Sequence, residues 1–153
     1  MKILHAVKDD AEEILQLQYL AYESEAKIYN DWSLPALTQS LESLMAEFDS
    51  ALILKAVQGN KIVGSVRAIV VGDLCKIGRL IVHPEWQRQG IGSGLLAEVE
   101  MRYTAVAAYE LFTGSKSLGN LKLYERHGYR FAQRQVISDH LSLQFLVKKS
   151  VKG

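Results

Sequence analysis

Apolar residues recur with a helical period in the first third of the chain. Ile14 and Leu17 fall on one helical face, after an acidic stretch at 9–13 that supplies an aspartate cap and a glutamate three residues later. Pro35 suits the first turn of a second helix. The period of that helix is carried by Leu37, Leu41, Leu44 and Phe48. With an apolar run at 3–7, the pattern predicts one short strand followed by two helices.

The pattern changes to that of strands from residue 51 onward. Apolar, β-prone runs cover 51–57, 62–71 and 74–82, and short polar or glycine-containing turns separate them. Three strands joined by two short turns form an antiparallel meander.

The last third alternates helices with strands. A helix over 92–103 is followed by a strand over 109–113, and a further helix ends at Gly128, which suits a left-handed cap. Two further strands are predicted over 129–136 and 140–147. The order β-α-α-β-β-β-α-β-α-β-β predicts the α/β (α+β) class, with a mixed sheet of about seven strands flanked by helices. No linker or repeat interrupts it, so we expect residues 1–153 to form a single domain.

Composition narrows the range of partners and cofactors that the protein is expected to have. The chain has a formal net charge of +1, with acidic and basic residues interspersed, so neither a nucleic acid nor a membrane is predicted as a partner. Cys75 is the single cysteine, which excludes an internal disulfide and suits a reducing compartment. The apolar run at the N-terminus is too short for a signal peptide, and we expect a cytoplasmic protein. The four histidines lack the spacing of metal ligands, so no metal is predicted.

The segment 87–94, Gln-Arg-Gln-Gly-Ile-Gly-Ser-Gly, carries the most specific chemistry. It lies between a predicted strand and a predicted helix. Glycines let backbone N–H groups approach a ligand, and the first turn of a helix adds unpaired donors and the positive end of its dipole. This combination binds phosphate or pyrophosphate, and Arg88 can add a charge. The alternative is a tight turn that merely requires glycine.

Two other phosphate-binding motifs fit the segment less well. A Walker loop needs Gly-Lys followed by Ser or Thr, which is absent here. A dinucleotide fold places its glycines after the first strand, whereas here an antiparallel meander precedes them.

These residues resemble the GCN5-related N-acetyltransferase (GNAT) family. The family motif Gln/Arg-x-x-Gly-x-Gly/Ala is matched by 87–92, and 78–84 is similar to the central strand of the family. The second motif, Leu-Tyr-x-x-x-Gly-Phe/Tyr, is matched by 123–129. The chain departs from the family at Ser117, where an asparagine is common, although Asn120 can supply an amide one turn before the motif tyrosine.

The resemblance implies acetyl-CoA as co-substrate and assigns residues to it. The backbone of Leu80, Ile81 and Val82 would pair with the pantetheine arm, and a backbone N–H near Val82 would stabilise the oxyanion. The strand over 109–113 would splay from them to leave a slot. Tyr124 would protonate the leaving thiolate. The pyrophosphate would be held by Gln87, Arg88, Gln89, Gly90, Ile91, Gly92 and Ser93, with Asn120 as a further cofactor contact.

The expected activity is transfer of an acetyl group to a primary amine by direct attack in a ternary complex. A loop predicted at 22–32 would form part of the acceptor wall, and Glu25 within it is the candidate base. The acceptor, a small molecule or a protein amine, stays open, and a homodimer is a common arrangement for such folds. The alternatives are a non-catalytic acyl-CoA-binding sensor of the same fold and a regulator that binds another nucleotide.

Overall fold

The helices and strands of the chain follow the predicted order with one addition. The computed structural model describes residues 1–151, so the last two residues of the expected 1–153 domain lie outside the described part. The strands are β1 (Lys2–His5), β2 (Leu52–Gln58), β3 (Lys61–Val71), β4 (Leu74–Val82), β5 (Ala108–Gly114), β6 (Arg130–Val136) and β7 (Ser142–Lys149). The α-helices are α1 (Ala11–Tyr29), α2 (Pro35–Thr38), α3 (Leu41–Glu47), α4 (Ile91–Arg102) and α5 (Leu118–Arg126).

The predicted second helix is in fact two helices, α2 and α3. Gln39 between them has an extended backbone (φ −61°, ψ 134°). Ser40 then starts α3 as its N-cap, since its hydroxyl accepts a hydrogen bond from the Ser43 N–H at 3.1 Å. Serine competes for backbone hydrogen bonds in this way and favours caps over helix interiors. The apolar period continues across the break, which is why the sequence suggested one helix.

The prediction of a loop over 22–32 is also wrong, because most of this segment is helical. α1 continues to Tyr29 and ends at Asn30, which has a left-handed backbone with φ +49°. Ala26 and Tyr29 are buried and extend the apolar face that begins with Ile14. Glu23, Ser24 and Lys27 lie on the exposed side of the helix and conceal its period in the sequence. Glu25 is therefore on a helix rather than in a loop.

The sheet has seven strands in the order β1-β2-β3-β4-β5-β7-β6. Neighbouring strands are antiparallel except β4 and β5, which are parallel and joined by a crossover through α4. This parallel pairing covers only Leu74–Lys76 with 108–110. Beyond Lys76 the two strands separate, as the resemblance implies.

Helices cover both faces of the sheet, which produces two apolar cores. One face packs α4 and α5 through buried residues such as Leu95 on α4 and Leu121 on α5. The other packs α1 and α3 through Ile14 and Leu44. Burial of each such side chain stabilises the fold by about 1.5–3 kcal/mol. The cores fix the helix ends around the gap between β4 and β5.

Candidate active site between two separating strands

A bulge in β4 marks the point where β4 and β5 separate. Ser65 pairs with Ile81, but Arg67, two residues later, pairs with Gly78, so β4 carries one extra residue. Arg79 lies in this stretch with φ +48°, a left-handed conformation that is uncommon for a residue with a side chain. The bulge increases the local bend of β4 and directs its C-terminal half away from β5.

The open edge of β4 presents unpaired backbone groups to the gap. The His83 N–H donates to the carbonyl of Val63 on β3 at 2.8 Å. Successive N–H groups of an extended chain point to opposite edges. The Val82 N–H therefore faces the gap, where an extended ligand can take the place of a neighbouring strand.

The glycine-rich segment follows directly and begins α4. Arg88 and Gly90 have φ values of +63° and +82°, so the chain reverses sharply before the helix begins at Ile91. The first helical hydrogen bond joins the Gly94 N–H to the Gly90 carbonyl at 2.9 Å. The N–H groups of 91–93 precede it and lack intrahelical acceptors. An anion placed at this helix end meets these donors and the positive end of the helix dipole.

One cavity of about 800 Å³ joins this loop to the gap and to the C-terminal half of α1. Gln89 is the only predicted site residue that does not line it. The residues that do are Glu25, Leu80, Ile81, Val82, Gln87, Arg88, Gly90, Ile91, Gly92, Ser93, Asn120 and Tyr124. Sequence reasoning assigned no role of their own to several other lining residues, which are Tyr22, Tyr29, Arg79, Ser117, Lys122 and Arg126.

Glu25 is held by two side chains at the start of α5. Its Oε2 accepts a hydrogen bond from Ser117 Oγ at 2.8 Å, and its Oε1 accepts one from Asn120 Nδ2 at 2.9 Å. Asn120 also donates to Thr113 Oγ1 at 3.2 Å. Asn120, predicted as a cofactor contact, is thus engaged with the carboxylate of α1. These bonds fix the orientation of Glu25 at the cavity wall.

Tyr29 extends this network towards β5. Its hydroxyl lies 2.7 Å from Ser117 Oγ and accepts from the Lys116 N–H at 3.0 Å. The single hydroxyl proton of Ser117 goes to Glu25, so the Tyr29 hydroxyl donates to Ser117. The ring passes close to Gly114, where an added Cβ would lie only 1.9 Å from the Tyr29 hydroxyl oxygen. Glycine at 114 is therefore a steric requirement of this contact.

Tyr124 lies on the buried side of α5, with only 5% of its surface exposed. Gly128 (φ +90°) caps the helix, with a Tyr129 N–H to Tyr124 carbonyl bond of 3.1 Å and a Gly128 N–H to Glu125 carbonyl bond of 3.0 Å. Burial raises the pKa of Tyr124, and the neighbouring Tyr22 and Glu25 raise it further. The hydroxyl therefore keeps its proton at neutral pH and can donate it to a ligand in the cavity.

The histidines and the cysteine have other roles. His83 Nδ1 accepts from the Glu85 N–H at 3.1 Å, and His127 Nε2 lies 2.8 Å from Ser93 Oγ. Cys75 is buried, which raises its pKa to about 11. Within residues 1–151, no cluster of three or more His, Cys, Asp or Glu side chains is arranged to hold a metal ion. No helix in the same part is long and apolar enough to cross a membrane.

Comparison with known proteins identifies the family. The model of the acetyltransferase (GNAT) domain matches residues 18–149. The chain therefore belongs to the GNAT family of acetyltransferases, whose members transfer acyl groups. It is also 28% identical over 123 residues to the UPF0157 protein YqkA of Bacillus subtilis (strain 168). That alignment covers 80% of this chain and 35% of YqkA, so the chain spans about a third of that relative.

Solved structures share the fold at low sequence identity. The ribosomal-protein-S18-alanine N-acetyltransferase of Escherichia coli superposes with a TM-score of 0.81 and 19% identity, covering 99% of this chain and 96% of that one. The PaiA N-acetyltransferase of Thermoplasma acidophilum, solved with coenzyme A, superposes with a TM-score of 0.79 and 19% identity, covering 97% of this chain and 99% of that one. The protein smu.2055 of Streptococcus mutans UA159 superposes with a TM-score of 0.84 and 16% identity, covering 97% of this chain and 99% of that one.

Proposed function

We propose that the protein transfers an acetyl group from acetyl-CoA to a primary amine, with both substrates bound together. The observation that carries this proposal is the single cavity in which the open edge of β4 leads from the glycine-rich loop to Tyr124 and Glu25. A phosphate-bearing donor with an extended arm fits the loop and the edge. Residues 1–153 would act as one acyltransferase domain.

The residues at the loop end fit the donor by charge and by shape. Gly90 and Gly92 line the cavity, and the N–H groups of 91–93 are available to a pyrophosphate. Three cationic side chains at this wall, Arg88, Lys122 and Arg126, supply charge for the phosphates. The backbone of 80–82 would hydrogen-bond the pantetheine arm along the open edge of β4.

The chemistry would be shared by three groups of the chain. Acetyl-CoA supplies an activated acyl group as a thioester. The Val82 N–H, which faces the gap, would donate to the acyl oxygen as negative charge develops on it. Glu25 would take a proton from the incoming amine, directly or through water, and its bonds to Ser117 and Asn120 keep it oriented. Tyr124 would donate its proton to the departing sulfur.

Binding of the donor is tested by thermal unfolding with and without acetyl-CoA. At 100 times its dissociation constant, a ligand of the folded state adds about 2.7 kcal/mol of stability, which raises the melting temperature of a domain this size by about 5–10 °C. ADP and NAD⁺ serve as phosphate-bearing controls. No shift at millimolar acetyl-CoA, or a larger one with a control, contradicts the proposal.

Transfer is tested separately by thiol release with a panel of amines. Amine-dependent release of CoA, with the acetylated amine detected by mass spectrometry, supports an enzyme. Tight donor binding with no transfer to any amine class would favour the non-catalytic sensor.

A further inference from the structure

Arg79 places a cation at the cavity wall that none of the chemistry above uses. It lies in the β4 bulge, and its side chain extends towards α1, with the guanidinium carbon 6.0 Å from the centroid of the Tyr22 ring. It lines the main cavity and also a neighbouring hollow formed with Tyr22 and Phe112. Its Nε atom is buried and has no hydrogen-bond partner in the described part of the chain.

Arg67, the adjacent arginine on β3, shows how this protein neutralises such a charge. It is 5% exposed, and its guanidinium forms hydrogen bonds with Glu47 at 3.0 Å, with Gln39 at 3.2 Å and with Gln18. Arg79 has no carboxylate within ion-pair distance among residues 1–151. The pKa of the Arg67 guanidinium is lowered, mainly by burial; Glu47 opposes this shift, and the nearby Arg79 adds to it. A partly desolvated cation without a counter-charge favours an anionic ligand.

Tyr22 interacts electrostatically with both Arg79 and the candidate base, Glu25. Burial raises the pKa of the Tyr22 hydroxyl, while Arg79 lowers it and Glu25 raises it. One hydroxyl therefore lies within electrostatic reach of both the guanidinium and the carboxylate. The cavity thus offers opposite charges to the two ends of one small ligand. The cavity wall also carries apolar side chains, which include Phe112 on β5, Leu141 just before β7 and Leu143 on β7.

We propose that the acceptor is an amino acid with an apolar side chain, whose carboxylate pairs with Arg79 while its amine faces Glu25. This inference rests on the proposed function and names its substrate class. A planar guanidinium binds a carboxylate through two parallel hydrogen bonds, which specifies the group and its orientation. A polyamine would bring a second cation towards Arg79 and is disfavoured. A peptide N-terminus has an amide in place of the carboxylate next to its amine and is also disfavoured.

The reaction balances with groups already described. The amine nitrogen forms a bond to the acyl carbon, and the bond between that carbon and sulfur breaks. The ammonium loses two protons. One passes through Glu25 to solvent, and the other restores the Tyr124 hydroxyl after that hydroxyl has given its proton to sulfur. The products are the N-acetyl amino acid and CoA with a free thiol. The carboxylate of the acceptor is unchanged.

The experiment compares acceptors that share a side chain and differ in whether they carry a carboxylate. Leucine, phenylalanine and methionine are assayed beside their C-terminal amides, and spermidine and a short unrelated peptide complete the panel. We expect wild-type kcat/KM to be about 10- to 100-fold higher for each acid than for its amide, the usual size of a charge-assisted contact. Arg79→Gln should remove this preference mainly through KM of the acids, while Arg79→Lys retains part of it.

Arg134→Gln is the control, because it removes the same charge from the exposed face of β6 outside the cavity. Its acid-to-amide ratio should equal that of the wild type. Equal use of acids and amides overturns the inference, as does Arg79→Gln acting equally on both. If acetyl-CoA stabilises the protein but no carboxylate-bearing amine reacts, the inference is also overturned while donor binding stands. Failure of acetyl-CoA binding itself would overturn the proposed function.

Discussion

The two ends of the cavity are built on different principles. At the proposed donor end, the groups that would face the ligand are backbone N–H groups of one continuous segment, 91–93, and the turn at 88–90 supplies their geometry. At the acceptor end, the groups are side chains whose partners are far apart in sequence. Glu25 and Ser117 are 92 residues apart, and Tyr29 and Ser117 are 88 apart.

This difference has consequences for mutation. A backbone site tolerates many side-chain changes but depends on the few positions that permit its φ angles. A side-chain network loses function when any member changes, because its members orient one another. Substitutions at the donor end should therefore affect donor affinity, and those at the acceptor end should affect turnover or the acceptor KM.

The largest effect is expected for Tyr124→Phe, where the two ends meet. This change keeps the ring and removes the hydroxyl, so kcat should fall by roughly 100-fold or more with little change in acetyl-CoA affinity. Because the pKa of Tyr124 is raised, its hydroxyl loses its proton only above its usual value of about 10. The wild-type rate should thus show no descending limb from this group below about pH 10. Steady-state kinetics over a range of pH measures both the fall in kcat of the variant and the shape of the wild-type profile.

Tyr109→Phe is the matched control for Tyr124→Phe. Its hydroxyl is also largely enclosed, but it donates to the carbonyl of Tyr103 at 2.8 Å, away from the cavity. Turnover should stay at the wild-type level in this variant. Near-normal turnover in Tyr124→Phe, with chemistry shown to be rate-limiting, would remove Tyr124 from the mechanism.

Gly90→Val should weaken acetyl-CoA binding by about 10- to 100-fold, the equivalent of one or two lost charge-assisted hydrogen bonds. A branched residue at φ +82° strains the turn and displaces the N–H groups from the phosphate. Gly72→Val is the control, since Gly72 has φ +61° and open space around it but lies in a remote turn. Gly92 is less suitable, because an added Cβ would lie 3.2 Å from Leu123. Titration calorimetry decides, and equal affinities would make the loop a simple turn.

Glu25→Gln should slow turnover at neutral pH by about tenfold, below the usual range for a direct base because water can relay the proton. The rate should recover partly as pH rises, since more of the amine is then already neutral. Glu23→Gln, two residues away on the exposed side of α1, is the control. A pH–rate profile identical to the wild type would assign the base to another group.

Tyr29→Phe tests whether the network orients Glu25. Loss of the bonds to Ser117 and the Lys116 N–H should cost about 1 kcal/mol of stability. Turnover should fall by about two- to fivefold. In the Glu25→Gln background the same change should have no further effect on turnover, which a double-mutant cycle measures. Additive losses would mean that Tyr29 acts independently of Glu25.

The smallest effect concerns Asp31, just after α1. Hydrogen bonds from Ser33 and His140 lower its pKa from 3.8 to about 2. A depressed folded-state pKa stabilises the protein above pH 4 and loses that stabilisation as pH falls from about 4 to 2. The stability difference between wild type and Asp31→Asn should therefore shrink over this range. A constant difference would show that the carboxylate contributes nothing there.

The sequence predicted the turn at the proposed donor end well because that turn is local. The segment 87–93 specifies its own turn, and the strand before it and the helix after it follow from periods within a few residues. The order of the strands along the chain, the cap at Gly128 and the separation of β4 from β5 were also predicted and are confirmed.

The acceptor end was predicted poorly because its geometry depends on pairing across the fold. The length of α1 follows from the burial of Ala26 and Tyr29, which other elements provide. The position of Arg79 depends on how β4 registers against β3, and a single extra residue in β4 decides where its side chain points. The partners of Glu25 approach it only when the start of α5 packs beside α1. Local sequence thus determined the order of elements and the glycine-rich turn, and tertiary packing alone decided which side chains line the proposed acceptor end of the cavity.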